Sequence, residues 1–173
     1  MIRIHASIAA VAVPLLFAAS TTVLAWSSDI DSLGNANSLC RLEPNAQCTS
    51  AVRVGIDAPG IDMRNASMEK MRLDRANLQR GDFSSAIMQL INLEGADLLL
   101  ANLEGAHLHA ANLRGANLML ANMKNTNLLD ADLRGANLRG ANLTGAILIQ
   151  ARLGGATWND GRVCAPESVG ECR

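Results

Sequence analysis

The chain has 173 residues, a formal net charge of −1, 2% aromatic residues and four cysteines. Balanced charge argues against direct nucleic-acid binding, which calls for a basic face. Neither end of the chain outside its central repeat is long enough to hold an enzyme domain, so function has to be sought on the surface the repeat builds and at its two ends.

The N-terminus sets the expected compartment. Arg3 precedes an uncharged, Ala/Val/Leu-rich stretch from Ala6 to about Ser20, and Val23-Leu24-Ala25 then offers small residues for cleavage before Trp26. That is the layout of a secretory signal peptide, so residues 1–25 are expected to be removed and the mature protein to be periplasmic or secreted. No Cys follows the cleavage site, which leaves lipoprotein anchoring unsupported. The apolar stretch approaches the ~20 residues needed to span a bilayer, but Pro14 and the Ser/Thr cluster at 20–22 weaken an uncleaved anchor. No stable membrane insertion is expected after cleavage. Residues 26–60 show no repeat and several breakers (Gly34, Pro44, Pro59, Gly60), and read as an N-terminal cap.

From residue 61 to 160 the sequence repeats every five residues without a slip. The centres run Met63, Met68, Leu73, Leu78, Phe83 and onward in steps of five to Trp158: fourteen Leu, four Met, one Phe and one Trp. Ala stands two positions before the centre in fifteen of the twenty units, and Asn or Asp immediately before it in thirteen. A five-residue period fits neither ordinary element. On an α-helix, steps of five advance about 140° and the leucines would spiral around the cylinder. On a flat strand an odd period sends successive leucines to opposite faces. The centres can all point inward only if the chain bends once per unit, which winds it into a parallel β-coil around a dry axis. The Asn residues (Asn92, Asn102, Asn112, Asn117, Asn122, Asn127, Asn137, Asn142) are placed to stack in hydrogen-bonded ladders.

The C-terminal residues 161–173 follow the turn signal Asn159-Asp160-Gly161 and form a second cap. Cys40 and Cys48 precede the repeat, Cys164 and Cys172 follow it, and both pairs have seven intervening residues. Four cysteines allow three pairings, but the solenoid separates the pairs by its whole length. Local disulfides Cys40–Cys48 and Cys164–Cys172 are therefore expected in an oxidising compartment, closing the ends of a solenoid that must be capped. Zinc is a poor alternative, since its sites favour shorter Cys spacings and further ligands.

The unit Ala-(Asn/Asp)-Leu-x-x resembles the pentapeptide-repeat family over residues 61–160, about 58% of the chain. Trp158-x-Asp160-Gly161 and the Cys loop after it also resemble the ending of small exported bacterial members. The resemblance implies an all-β fold, a right-handed quadrilateral parallel β-helix with four units per coil and about five coils. Gly95, Gly115, Gly135 and Gly155 recur at the corresponding twenty-residue step, as do Leu99-Leu100 and Met119-Leu120.

No catalytic, cofactor or metal constellation is found. The His107-Leu108-His109 pair flanks a buried centre, with Ile87, Gln89, Asn127 and Leu129 expected above and below, none of them strong ligands. The family also includes strongly acidic rods that mimic duplex DNA and bind type II topoisomerases. That activity requires roughly one negative charge per 1.7 Å, whereas the repeat carries ten Lys/Arg and ten Asp/Glu. What remains is an exported, non-enzymatic scaffold contacting an unknown protein partner or itself. Leu99, Leu100, Met119 and Leu120 are its candidate interaction face, because at a twenty-residue step these outward positions stack on one another. The column Asp74, Glu94, Arg114, Arg134 beside it is expected to form a vertical salt ladder.

Overall fold

Every fifth residue from Gln47 to Thr157 makes an isolated parallel β-bridge to the residue twenty positions away, in a computed structural model that describes residues 40–173. The expected signal segment and the cap residues before Cys40 lie outside the described residues. The bridges form four columns, one for each unit of the coil. The first runs Gln47, Ser67, Ile87, His107, Asn127, Ile147; the second Val52, Arg72, Asn92, Asn112, Asp132, Arg152. The third runs Asp57, Asn77, Asp97, Asn117, Asn137, Thr157, and the fourth Asp62, Asp82, Asn102, Asn122, Asn142. Each unit pairs through one residue and then turns, so residues 47–160 contain bridges and two-residue turns in strict alternation.

The five-residue unit closes because each of its amides finds an acceptor. In the unit centred on Leu93, the Asn92 N–H donates to Met71 O (2.9 Å) in the coil behind. The Leu93 and Gly95 N–H groups donate to Asn112 O and Arg114 O (2.8 Å each) in the coil ahead. The Ala96 N–H, first of the next unit, closes the turn onto Leu93 O at 3.0 Å. Only Glu94 has no backbone acceptor for its N–H, and the Asn92 side chain accepts it through Oδ1 at 3.1 Å. This one local bond satisfies the amide that the backbone leaves over, and it explains why Asn or Asp precedes the centre so regularly. The second turn residue of every unit from Ser50 to Gly155 has φ near +60°, whether it is glycine or not.

The axis is filled by the centres and by the residue two positions before each. All centres from Met63 to Leu138 are buried, as is nearly every partner Ala. Volume is traded locally: Gly81 stands where Ala is usual because a Cβ there would meet Phe83 Cε2 at 2.6 Å. Thr126 also replaces Ala, and its buried hydroxyl donates to Leu103 O at 2.8 Å. Each buried Leu contributes on the order of 1.5–3 kcal/mol relative to exposure.

The winding starts earlier than the expected boundary at residue 61. Gln47, Val52 and Asp57 already bridge to the next coil, and Cys48, Arg53 and Ala58 occupy centre positions. Polar and small centres hide the period from a count of leucines, while the backbone keeps it. Cys48 is fully buried and joined to Cys40 (Cα–Cα 4.9 Å), so the disulfide lies across the first turn of the axis. Arg53 covers the same end, donating to Val52 O at 2.8 Å and Cys40 O at 3.5 Å. At the other end the chain folds back. Val163, just before the loop closed by Cys164–Cys172, pairs antiparallel with Thr157, and Val169 within that loop pairs with Arg152. A Cβ on Gly154 would run into the Pro166 carbonyl, so the cap lies directly on the last coil.

Candidate interaction surface

Three positions of each unit face outward: the bridging residue and the two turn residues. Along the third and fourth columns the bridging positions form polar ladders. Asn77 Nδ2 donates to Asp57 Oδ1 (2.6 Å), Asn117 to Asp97 (2.9 Å), Asn102 to Asp82 (3.1 Å) and Asn122 to Asn102 (3.0 Å). In the second column Asn112 donates to Asn92 at 3.0 Å. Asn127 does not join a ladder, being stacked between His107 and Ile147. Ion pairs form mostly within a unit, from bridging residue to first turn residue, as in Arg64–Asp62 (2.7 Å), Arg72–Asp74 (3.1 Å) and Arg134–Asp132. The hydrogen bonds from Arg64 and Arg134 hold the Asp62 and Asp132 carboxyls below the usual carboxylate range.

The expected vertical salt ladder is therefore corrected. Asp74 pairs with Arg72 of its own unit and accepts from Asn92 (3.3 Å), while Glu94 accepts from Asn112 (3.1 Å). Short-range partners two residues away are already in position and cost less side-chain ordering than partners a coil away.

Leu99, Leu100, Met119 and Leu120 are brought together at the turn that follows the third column. The Leu100 N–H donates to Met119 O (3.1 Å) and the Leu120 N–H to Arg139 O (3.0 Å), so the two apolar turns stack directly. Leu100 and Leu120 are 45% and 52% exposed; Leu99 and Met119 are half-buried. Leu120 leans over the next turn, where a Cβ on Gly140 would meet its Cδ2 at 2.6 Å. Arg80 below and Arg139 above frame the pair, and Gln79 Nε2 donates to Asp97 at 2.6 Å beside it. Leu100 and Leu120 sit at φ of 59° and 58°, a region that costs a residue bearing a Cβ roughly 1 kcal/mol and that favours Gly or Asn. Both their exposure and their backbone thus run against leucine at these places.

A second apolar set lies along the first column and its turns: Ile87, Leu90, Ile147 and Ile149, all exposed. Sequence reasoning passed over it. The available signal was the interruption of Asn/Asp at the bridging position by Ile87, His107 and Ile147. The histidine pair lies on this column, and His109 Nε2 approaches Asp130 Oδ2 at 3.5 Å, a second-turn position one coil on. Among the described residues no group of three or more His, Cys, Asp or Glu is arranged to hold a metal, and no helix is long and apolar enough to cross a membrane.

Eight copies of the family model described as pentapeptide repeats match residues 86–125 and 126–157. Among solved structures, a pentapeptide repeat protein from the Arabidopsis thaliana thylakoid lumen is 27% identical, covering 68% of this chain and 83% of that one, with a TM-score of 0.39. HetL, a pentapeptide repeat protein involved in heterocyst differentiation regulation in the cyanobacterium Nostoc sp. strain PCC 7120, is 31% identical over 69% and 75%, with a TM-score of 0.28. Rfr23 from the cyanobacterium Cyanothece 51142 is 30% identical over 58% and 85%, with a TM-score of 0.22. No curated protein matches the sequence.

Proposed function

Because the chain belongs to the pentapeptide-repeat family, whose members are right-handed quadrilateral β-helices, we propose that it is an exported, non-enzymatic scaffold that presents an apolar corner to a protein partner. Five coils of repeat supply a rigid rod, and the partner is recognised on Leu99, Leu100, Met119 and Leu120. The observation that carries this reading is the pair of stacked leucines at exposed left-handed turn positions. The solenoid's own packing gains little from them, and their backbone conformation disfavours them. A contact made outside the chain accounts for both costs, since large exposed apolar patches mark interaction sites. Export is supported by the layout of residues 1–25 and by two disulfides with no free cysteine among the described residues.

The test replaces the four residues together by Gly at the two second-turn positions (Leu100, Leu120) and Gln at the two first-turn positions (Leu99, Met119). Removing Leu from the left-handed positions should leave the melting temperature unchanged or slightly raised. Capture of an envelope protein by the immobilised rod should fall at least tenfold relative to the wild type. Unfolding of the variant would show the corner to be part of the core, and undiminished capture would remove it as the recognition surface.

A further inference from the structure

Six of the chain's seven methionines lie in the repeat, and five of those are walled into its axis. Met63, Met68, Met88 and Met123 are centres, Met71 stands two positions before one, and none of the five is more than 1% exposed. Met1 opens the expected signal segment. The four cysteines are joined in two disulfides, with no free cysteine among the described residues. Met119 differs from all of these. It is a first turn residue, half-buried, in the apolar corner it forms with Leu99, Leu100 and Leu120. Among the described residues it is the one thioether that a small solute in water reaches.

The setting decides what a reaction there would do. The Met119 carbonyl accepts the Leu100 N–H at 3.1 Å, and its own N–H donates to Asn117 Oδ1 at 3.3 Å. Neither bond involves the Met119 side chain, so a change at its sulfur leaves the turn in place. The other three residues of the corner are leucines, whose side chains a mild oxidant leaves alone. The fourth is the apolar side chain that oxidation makes polar. We propose that Met119 is an oxidation site that switches the corner off: a peroxide converts its thioether to the sulfoxide, and the corner then rejects its partner. This regulation rests on the corner being the recognition surface.

The chemistry closes on the two reactants. The Met119 sulfur supplies two electrons, the O–O bond of hydrogen peroxide breaks, an S=O bond forms, and the second oxygen leaves as water. The product carries a strong hydrogen-bond acceptor in a surface that binds by excluding water, and burying a polar group without a partner is unfavourable. Sulfoxide reductases return the thioether, so the change is reversible. The rod is spared in the process. The same polar group on an axis methionine would disrupt the core, but those five sulfurs are closed off by the coils around them.

The test uses the exported protein with both disulfides intact. Dilute hydrogen peroxide should add one oxygen to the peptide carrying Met119 at least tenfold faster than to any peptide carrying an axis methionine, with the melting temperature unchanged. Retention on an alkyl-substituted column, a measure of apolar surface that needs no partner, should fall on oxidation. Capture of the envelope protein held by the untreated rod should fall at least tenfold, and treatment with methionine sulfoxide reductase should restore it. Met119→Leu should capture like the untreated wild type and continue to do so after peroxide. Met119→Gln, polar without any oxidant, should reproduce the loss. An axis methionine oxidised as fast as Met119, or retention unchanged by oxidation, would overturn the proposal. So would undiminished capture by a rod fully oxidised at Met119; if the four-residue corner variant loses capture in the same assay, the corner reading stands without the switch. Undiminished capture by both would take down the corner reading and the switch together.

Discussion

Asn and Asp recur before the buried centre for a reason that belongs to one amide. The first turn residue is the only one in the unit whose N–H has no backbone acceptor, and an Asn or Asp side chain two residues back accepts it, as at Arg64, Arg139 and Thr144. Asn137 isolates the effect, because its Nδ2 makes only a long 3.4 Å bond to Asn117 while its Oδ1 accepts the Arg139 N–H at 3.2 Å. Asn137→Ala removes the acceptor and should cost about 1 kcal/mol in chemical denaturation. Asn137→Asp keeps an acceptor in place and should cost clearly less. Equal losses would mean that Asn serves the ladder and not the turn. At this scale the sequence was readable where one residue type does one job. The alternation of buried centre, small partner and amide-bearing residue is visible in the chain itself, and the buried set follows it from Met63 to Leu138. The left-handed second turn residue was less legible, since Arg75, Leu90, Leu100 and Gln150 take it as well as glycine, in spite of its cost to a residue with a Cβ. The fold imposes that conformation through the coil-to-coil bonds on either side and overrides local preference.

The coil is the element of this fold, and its length of twenty residues is fixed by which residues bridge. Stability in such a stack is approximately a sum of units and their neighbour contacts, which makes the register testable by deletion. Removing residues 121–140 joins Leu120 to Ala141 and returns every remaining residue to its own column. That variant should fold cooperatively with a reduced melting temperature. Removing three residues, 121–123, instead puts each later centre out of phase with the axis and should abolish the cooperative transition. If both deletions behave alike, the five-residue register is not what holds the rod together. The ends were harder to read than the coil. Arg53 and Ala58 stand at centre positions where no apolar period reveals them, so the winding reaches back beyond the first obvious unit at Met63. The C-terminal loop announced its cysteines and its turn, but which two columns it would cover depends on where the chain leaves the last coil. That is a geometric fact with no signature in composition. The exposed Ile147 and Ile149 follow from it, and they were missed for the same reason.

At the scale of the whole molecule, charge and the compartment proposed here are what separate the scaffold reading from that of a DNA mimic. Ten Lys/Arg against ten Asp/Glu in the repeat, three of each paired within one unit as in Arg64–Asp62 and Arg134–Asp132, leave no dense acidic face to stand in for a phosphate backbone. Disulfides at both ends place their benefit in an oxidising compartment, because thiols are kept reduced in the cytoplasm. The two arguments are independent and point the same way, away from a cytoplasmic topoisomerase. Fractionation of cells expressing the full chain puts them to one test. The protein should be recovered from the periplasm or the medium, begin at Trp26, and show no free thiol before reduction. Recovery from the cytoplasm with the signal segment retained and the cysteines reduced would reverse the assignment. The end caps would then have to hold by packing alone, and the partner of the leucine corner would have to be sought among cytoplasmic proteins.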